Sequence, residues 1–251
     1  MEDELYAIHA DRGEAHWWFE GRRQCLDVVI EQAFGPDGPG VGRSLLDVGC
    51  GAGANLEMLA RFGAVTGLDP EPSVLEACRK LHGDRFDLIA GHIPDDVPGD
   101  GSFDLVGAFD VLEHIEDDHG AAAKIFQALK PGGLFVAAVP AYPMLWGITD
   151  ELSHHMRRYR TARLVEVLEA AGFVVERTTH FNTWMFPPAA AVRLGRRLLP
   201  RNRKPPKADL AMTPARWDGL LTKVFASERH LLRRTDLPVG VSLVAVARRP
   251  R

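Results

Sequence analysis

Gly49, Gly51 and Gly53 occupy three of five positions in the run LLDVGCGAG at 45–53, directly after an apolar stretch interrupted by Asp47. A glycine has no Cβ, so main chain at these positions can lie close against a bound group. A strand, a tight glycine turn and a following helix set backbone N–H groups and a helix N-terminus beside any ligand at the strand's carboxyl end. The spacing is not the G-x-G-x-x-G of a dinucleotide site, and an acid precedes it. About twenty residues on, GLDP puts Asp69 and Pro70 at the end of a second apolar run, where a carboxylate can accept hydrogen bonds from both hydroxyls of a ribose. These residues together describe a grip on a nucleoside-bearing cofactor.

A second set could move a proton. His114 lies in SFDLVGAFDVLEHIED at 102–117 and His155 in AYPMLWGITDELSHHMRRYR at 141–160, and imidazole is the side chain that titrates near neutral pH. Tyr159, Arg157 and Arg158 are secondary candidates in the same loop. Asp110, Glu113 and His114 stand at i, i+3 and i+4, so a helical turn would present two oxygens and an imidazole on one face. Joined by His154 or His155, they could hold a divalent cation, although mixed oxygen and nitrogen ligands select no single one. The cation is not the favoured reading, and no metal ligand is assigned. Finally, AHWWFEGRR at 15–23 sets four consecutive large rings ahead of the first strand. Adjacent helical residues cannot all face one core, so about two are expected to pack and the others to close over the site, with Arg22 available to a cofactor carboxylate.

The elements that must position these groups alternate in the manner of parallel strands joined by crossover helices. Strands are expected at 44–48, 65–68, 86–90, 103–109 and 134–139, with helices in NLEMLARF, PSVLEACRKL and AAAKIFQALK between them. LKPGG reads as a helix stop, TARLVEVLEAAG as a further helix closed by Gly172, and FVVERTTH and VSLVAVARR as the last two strands.

At 251 residues the length favours a single domain, 1–251, with a helical cap over 1–40 and an insert at 181–240. A net charge of -4 argues against a general nucleic-acid binder. The insert, however, carries twelve Lys or Arg against four Asp or Glu. Within it RLGRRLLPRNRKPPK at 193–207 suits an acidic partner, a phosphorylated acceptor or peripheral contact with an anionic surface. Prolines 187, 188, 205 and 206 are expected to prevent one continuous helix, and residues 200–210 are expected to be mobile. The three cysteines form no CxxC pair, and the opening residues lack the pattern of a secretory signal. The expected home is a reducing cytoplasm.

LLDVGCGAG, GLDP, SFDLVGAFDVLEHIED and LKPGGLFVAAVP, in that order, resemble the class I S-adenosylmethionine-dependent methyltransferases over roughly residues 40–180. The resemblance implies a Rossmann-like three-layer α/β sandwich, its seven-stranded sheet mostly parallel with an antiparallel last strand. It further implies that Gly49, Cys50, Gly51 and Gly53 line the methionine portion of S-adenosylmethionine, that Asp47 holds its amino end, and that Asp69 and Pro70 meet the ribose. Many relatives carry an acid after the glycine that follows the third strand, whereas GHIPDD places His92 there. Adenine contact is therefore expected from the backbone of His92 and Ile93, and Asp110 is counted among the cofactor-side residues. The function so implied is methyl transfer to a small-molecule acceptor, with oxygen favoured and S-adenosylhomocysteine as product. The acceptor would be a natural product, sugar or lipid-linked intermediate, with His114 or His155 as base or positioning group. The alternatives are a nucleic-acid methyltransferase and a non-catalytic cofactor-binding protein.

Overall fold

The computed structural model describes residues 16–40, 42–197 and 215–251. Seven strands form one sheet: β1 (Ser44–Val48), β2 (Ala64–Asp69), β3 (Asp87–Ala90), β4 (Phe103–Phe109), β5 (Leu129–Pro140), β6 (Val174–Phe181) and β7 (Ser242–Arg248). Their spatial order is β3-β2-β1-β4-β5-β7-β6. The pairs from β3 through β5 are parallel, and β7 runs antiparallel to both β5 and β6. The order reverses at β1, which has β2 on one side and β4 on the other. Connections diverge there and leave a crevice at the carboxyl ends.

Helices cover both faces: α1 (Trp17–Phe34), α2 (Leu56–Leu59), α3 (Pro72–His82), α4 (Asp118–Ala128), α5 (Ile148–Leu152), α6 (Thr161–Ala170), α7 (Phe186–Arg197) and α8 (Asp218–Leu232). Leu45 enters the layer shared with α1, α3 and α8, while Leu46 and Val48 enter the layer shared with α4 and α6. This is the side-to-side alternation of a pleated strand. By the same alternation Asp47 stands on the side of α1, which is why a carboxylate in a buried strand can meet a side chain of that helix.

α1 is not a surface helix. Cys25, Leu26, Val29 and Ile30 are buried against the sheet, and each buried aliphatic of this kind contributes roughly 1.5–3 kcal/mol relative to exposure. Along α8 the approach is close, since a Cβ at Gly21 would fall 2.4 Å from Phe225 Cδ1. Trp17 and Trp18 flank the same ring, with centroids 6.1 and 5.5 Å from it. His16 is itself fully buried and caps the helix by accepting the Trp18 N–H at 3.2 Å, so three of the four opening rings, rather than about two, are structural groups.

Three local expectations need correction. NLEMLARF supplies only the single turn α2, because the chain must bend at Gly63, whose Cβ would sit 2.4 Å from the Arg43 carbonyl oxygen. LKPGG does not stop a helix at its lysine: α4 already ends at Ala128, and Leu129 pairs with Phe103 at the start of β5. Pro187 and Pro188 lie in the first turn of α7 rather than breaking a helix, which is tolerated because first-turn N–H groups have no intrahelical partner. The segment expected to be mobile, 200–210, and the prolines at 205 and 206 lie outside the described residues.

Candidate active site

The turn after β1 is hooked onto the end of β2. Gly49 and Cys50 both donate their N–H groups to the Leu68 carbonyl, at 2.7 and 3.1 Å. Gly51 N–H donates to Asp69 Oδ2 at 2.9 Å, and Glu71 N–H to Asp69 Oδ1 at 3.0 Å. Each carboxylate oxygen retains a lone pair for a further donor. The glycines differ in what they do. A Cβ at Gly49 would lie 2.5 Å from Val111 Cγ2, and one at Gly53 would lie 2.7 Å from Cys78 Sγ, so these two serve close packing. At Gly51, with φ +54°, a Cβ would meet nothing within 4 Å. That position opens onto the crevice.

Asp47 is 1% exposed, and its Oδ2 has no hydrogen-bond partner. Burial raises its carboxyl to about 7, with Asp69 adding to the rise and the Arg22 guanidinium opposing it. A buried acceptor without a donor is costly, and an ammonium group would relieve it. The residues present thus fit the cofactor implied by the sequence: Asp47 toward an amino group, the bare Gly51 main chain beside it, and Asp69 toward vicinal hydroxyls. Cys50 is buried with its thiol pushed up, first by burial and then by Asp47 and Asp69, while Pro70 is exposed.

Arg22 is ion-paired with Asp110 and donates to Asn55 Oδ1 at 3.4 Å, while its buried Nε has no hydrogen-bond partner, so part of the guanidinium is committed within the protein. One cofactor expectation changes. His92 N–H donates to Asp96 Oδ2 at 2.8 Å, which removes that backbone donor from adenine and leaves the neighbouring Ile93 as the expected contact. Asn55 carried no sequence signal of its own.

Beyond β4 the chain makes a 310 turn, Leu112–His114, with Asp110 ahead of it at φ +59°. The α-helical face expected for Asp110, Glu113 and His114 does not form. Instead, Glu113, His114 and His155 each bring a ligand-type atom within 4.8 Å of the others, and neither Asp110 nor His154 joins them. One carboxylate and two imidazoles could hold a cation without selecting which. The His114 and His155 rings meet edge to face with centroids 4.7 Å apart. Burial and then the neighbouring His155 hold His114 below the ordinary histidine range. Glu113 is fully buried, neither of its oxygens has a hydrogen-bond partner, and burial together with Asp110 holds its carboxyl well above the usual range.

The residue that sequence reasoning missed is Asp150. It is fully buried at the end of the crevice loop, and its Oδ1 meets His155 Nδ1 at 2.9 Å and the Arg158 Nε donor at 2.7 Å. Gly147 N–H donates to the other oxygen at 2.8 Å. Burial works against the charge, but His155 and Arg158 outweigh it and hold the carboxyl below its ordinary range. With Nδ1 bound to a carboxylate, the ring carries its proton there, and Nε2, 4.0 Å from Glu113 Oε1, is the free basic atom. An acid five residues before a histidine was the available signal, but only the fold of α5 brings the two together.

Tyr159 is corrected from catalytic candidate to structural group. It is fully buried, its hydroxyl lies 3.2 Å from the Leu112 carbonyl and 3.0 Å from Asp118 Oδ2, and burial followed by Asp118 pushes its phenol up. Arg157 braces the same region, pairing with Asp118 at 2.9 Å and donating to the Glu116 carbonyl at 2.8 Å. Arg158 also donates to the Ala141 carbonyl at 3.0 Å.

A family model described as a methyltransferase domain matches residues 46–137. The chain is 30% identical over 168 residues to a probable S-adenosylmethionine-dependent methyltransferase of Mycolicibacterium smegmatis, covering 66% of this chain and 62% of that one. It is 34% identical over 164 residues to the ubiquinone biosynthesis O-methyltransferase of Methylobacterium sp. (strain 4-46), covering 58% and 65%. The matches thus span less than two thirds of these relatives' own length. Among solved structures, phosphoethanolamine N-methyltransferase 2 of Haemonchus contortus in complex with S-adenosyl-L-methionine aligns with a TM-score of 0.61 at 18% identity, over 98% of this chain and 59% of that one. An S-adenosylmethionine-dependent methyltransferase from Mesorhizobium loti aligns at 0.56 and 20%, over 88% and 96%. At such identities these two structures speak to the fold alone.

Proposed function

We propose that the chain, which matches a methyltransferase domain over residues 46–137 and resembles S-adenosylmethionine-dependent relatives, is a class I S-adenosylmethionine-dependent methyltransferase that methylates an oxygen of a small-molecule acceptor, with His155 as the general base. The observation that carries the reading is the buried, unpartnered Asp47 Oδ2 beside the open backbone of Gly51 and the carboxylate of Asp69. The cofactor, when bound, supplies an electrophilic methyl on a sulfonium with a neutral leaving group. What remains for the protein is to align the acceptor and to manage one proton. His155 Nε2 takes that proton from the acceptor hydroxyl, and Asp150 keeps Nδ1–H in place and stabilises the imidazolium so formed. Burial and the nearby Asp110 hold the Glu113 carboxyl well above its usual range, which disfavours a second full negative charge beside the ring.

An oxygen acceptor is supported by this base and by the likeness to O-methyltransferases of ubiquinone biosynthesis. The test pairs two measurements. Calorimetric titration with S-adenosylhomocysteine should show binding that Asp69→Ala weakens strongly, and radiolabelled methyl transfer should reach phenols, catechols or sugars in an acceptor panel. Absence of cofactor binding would defeat the whole reading. Binding with transfer only to nitrogen or to RNA would defeat the acceptor assignment alone.

A further inference from the structure

The methyl-transfer reading makes no use of the outer face of residues 181–240. Of the carboxylates described there, Asp218 is half-buried, Glu228 is fully buried and accepts the Trp184 N–H at 2.9 Å, and Asp236 is paired with Arg177 at 2.6 Å. The exposed residues between 216 and 231 include Arg216, Trp217, Leu220, Lys223 and Ser227, and none of them is acidic.

Trp217, Leu220, Lys223 and Ser227 follow one another at three- and four-residue spacing, which places them along one side of α8 and the turn before it. Trp217 is 46% exposed and Leu220 52%. Trp184, 48% exposed, joins the stripe through its Nε1, which donates to Ser227 Oγ at 3.2 Å, about 10 Å along the axis from Leu220. α7 adds Pro188 and Val192, both exposed and four residues apart on one side of that helix. Arg216 and Lys223 are the exposed cations that accompany these groups.

We propose that the outer face of α7 and α8 docks on an anionic lipid bilayer. Indole rings flanked by aliphatic side chains are the groups that settle at a membrane interface, and the exposed cations Arg216 and Lys223 beside them are drawn to a negatively charged leaflet. Together they give peripheral, reversible attachment. No helix among the described residues is long and apolar enough to cross a membrane, so contact is made at the surface. A nucleic acid would use the cations and the indoles, but it would gain nothing from Leu220, Val192 and Pro188. The aliphatic content decides for the bilayer.

The test is co-sedimentation of the full chain with vesicles of phosphatidylcholine and of phosphatidylcholine mixed with phosphatidylglycerol. Binding to the mixed vesicles is expected to exceed that to neutral ones by at least about tenfold and to weaken as salt is raised. Trp217→Ala combined with Leu220→Ala should reduce it by about tenfold while the thermal melting curve stays that of the parent. Arg216→Glu with Lys223→Glu, confined to exposed cations, should reduce it at least as much and repeats the test should the first pair disturb folding. Equal partition into both vesicle types, no sedimentation with either, or loss of vesicle binding to competing single-stranded RNA would each overturn the proposal. None of these outcomes depends on methyl transfer.

Discussion

The two halves of the crevice are built from different materials. At the ends of β1 and β2 the contacts belong to main chain: Gly49 and Cys50 anchor on the Leu68 carbonyl, and Gly51 donates to Asp69. Beyond β4 and β5 they belong to side chains, with Asp150, His155, Arg158 and Glu113 gathered out of water. A backbone-built site admits little variation, because each glycine is set by a left-handed φ or by a neighbour a few ångströms away. A side-chain-built site can be rewritten residue by residue on the same frame. The difference teaches that cofactor recognition is the shared property of such a sheet, while acceptor chemistry is local to the chain.

That contrast can be broken experimentally. The largest effect is expected on the side-chain half: His155→Ala should lower kcat by about 10²–10⁴-fold with the affinity for S-adenosylhomocysteine unchanged, and steady-state kinetics beside calorimetry would read both. A comparable loss of cofactor affinity would erase the division between the halves. Next, Gly49→Ala should cost ~2–4 kcal/mol of stability in a denaturant titration, since the new Cβ meets Val111 at a left-handed φ. Unchanged stability would show that the turn has slack.

The third prediction concerns pH and Asp47, whose folded-state carboxyl is raised to about 7 by burial. A raised carboxyl contributes stability that is fully present below its unfolded value of about 4 and is lost as pH climbs through about 7. Binding of an ammonium-bearing ligand favours the ionised form, so cofactor affinity should follow the opposite course, rising roughly tenfold from pH 6 to pH 8. Asp47→Asn should flatten both profiles, and a slope that survives it would assign the titration elsewhere. The smallest effect belongs to Tyr159→Phe, expected to cost about 0.5–1.5 kcal/mol of stability with turnover intact. A collapse of kcat in that variant would return the phenol to the chemistry.

What could be read in the sequence follows the same division. The strands around the crevice were legible because residues such as Leu45, Leu46 and Val48 are buried on both faces of a sheet and leave a continuous apolar run. Asp47, the glycines and Asp69 were legible because their function depends on neighbours along the chain. Asp150 was not, since its tie to His155 exists only once α5 folds back, and neither was the pairing of Arg22 with Asp110, which joins positions 88 residues apart. The seating of α1 was not legible either, because the charged residues of EGRR stand beside the positions, Cys25, Leu26, Val29 and Ile30, that bury it.

The contact of Gly21 with Phe225 leaves the two helices no clearance, and the residue after Gly21 is Arg22, whose charge acts on Asp47. A side chain larger than hydrogen at position 21 would have to displace Phe225, so the seat of α8 is set by an atom that the chain leaves out. The helix that fixes the outer layer is thus the same one that delivers a positive charge to the buried end of β1.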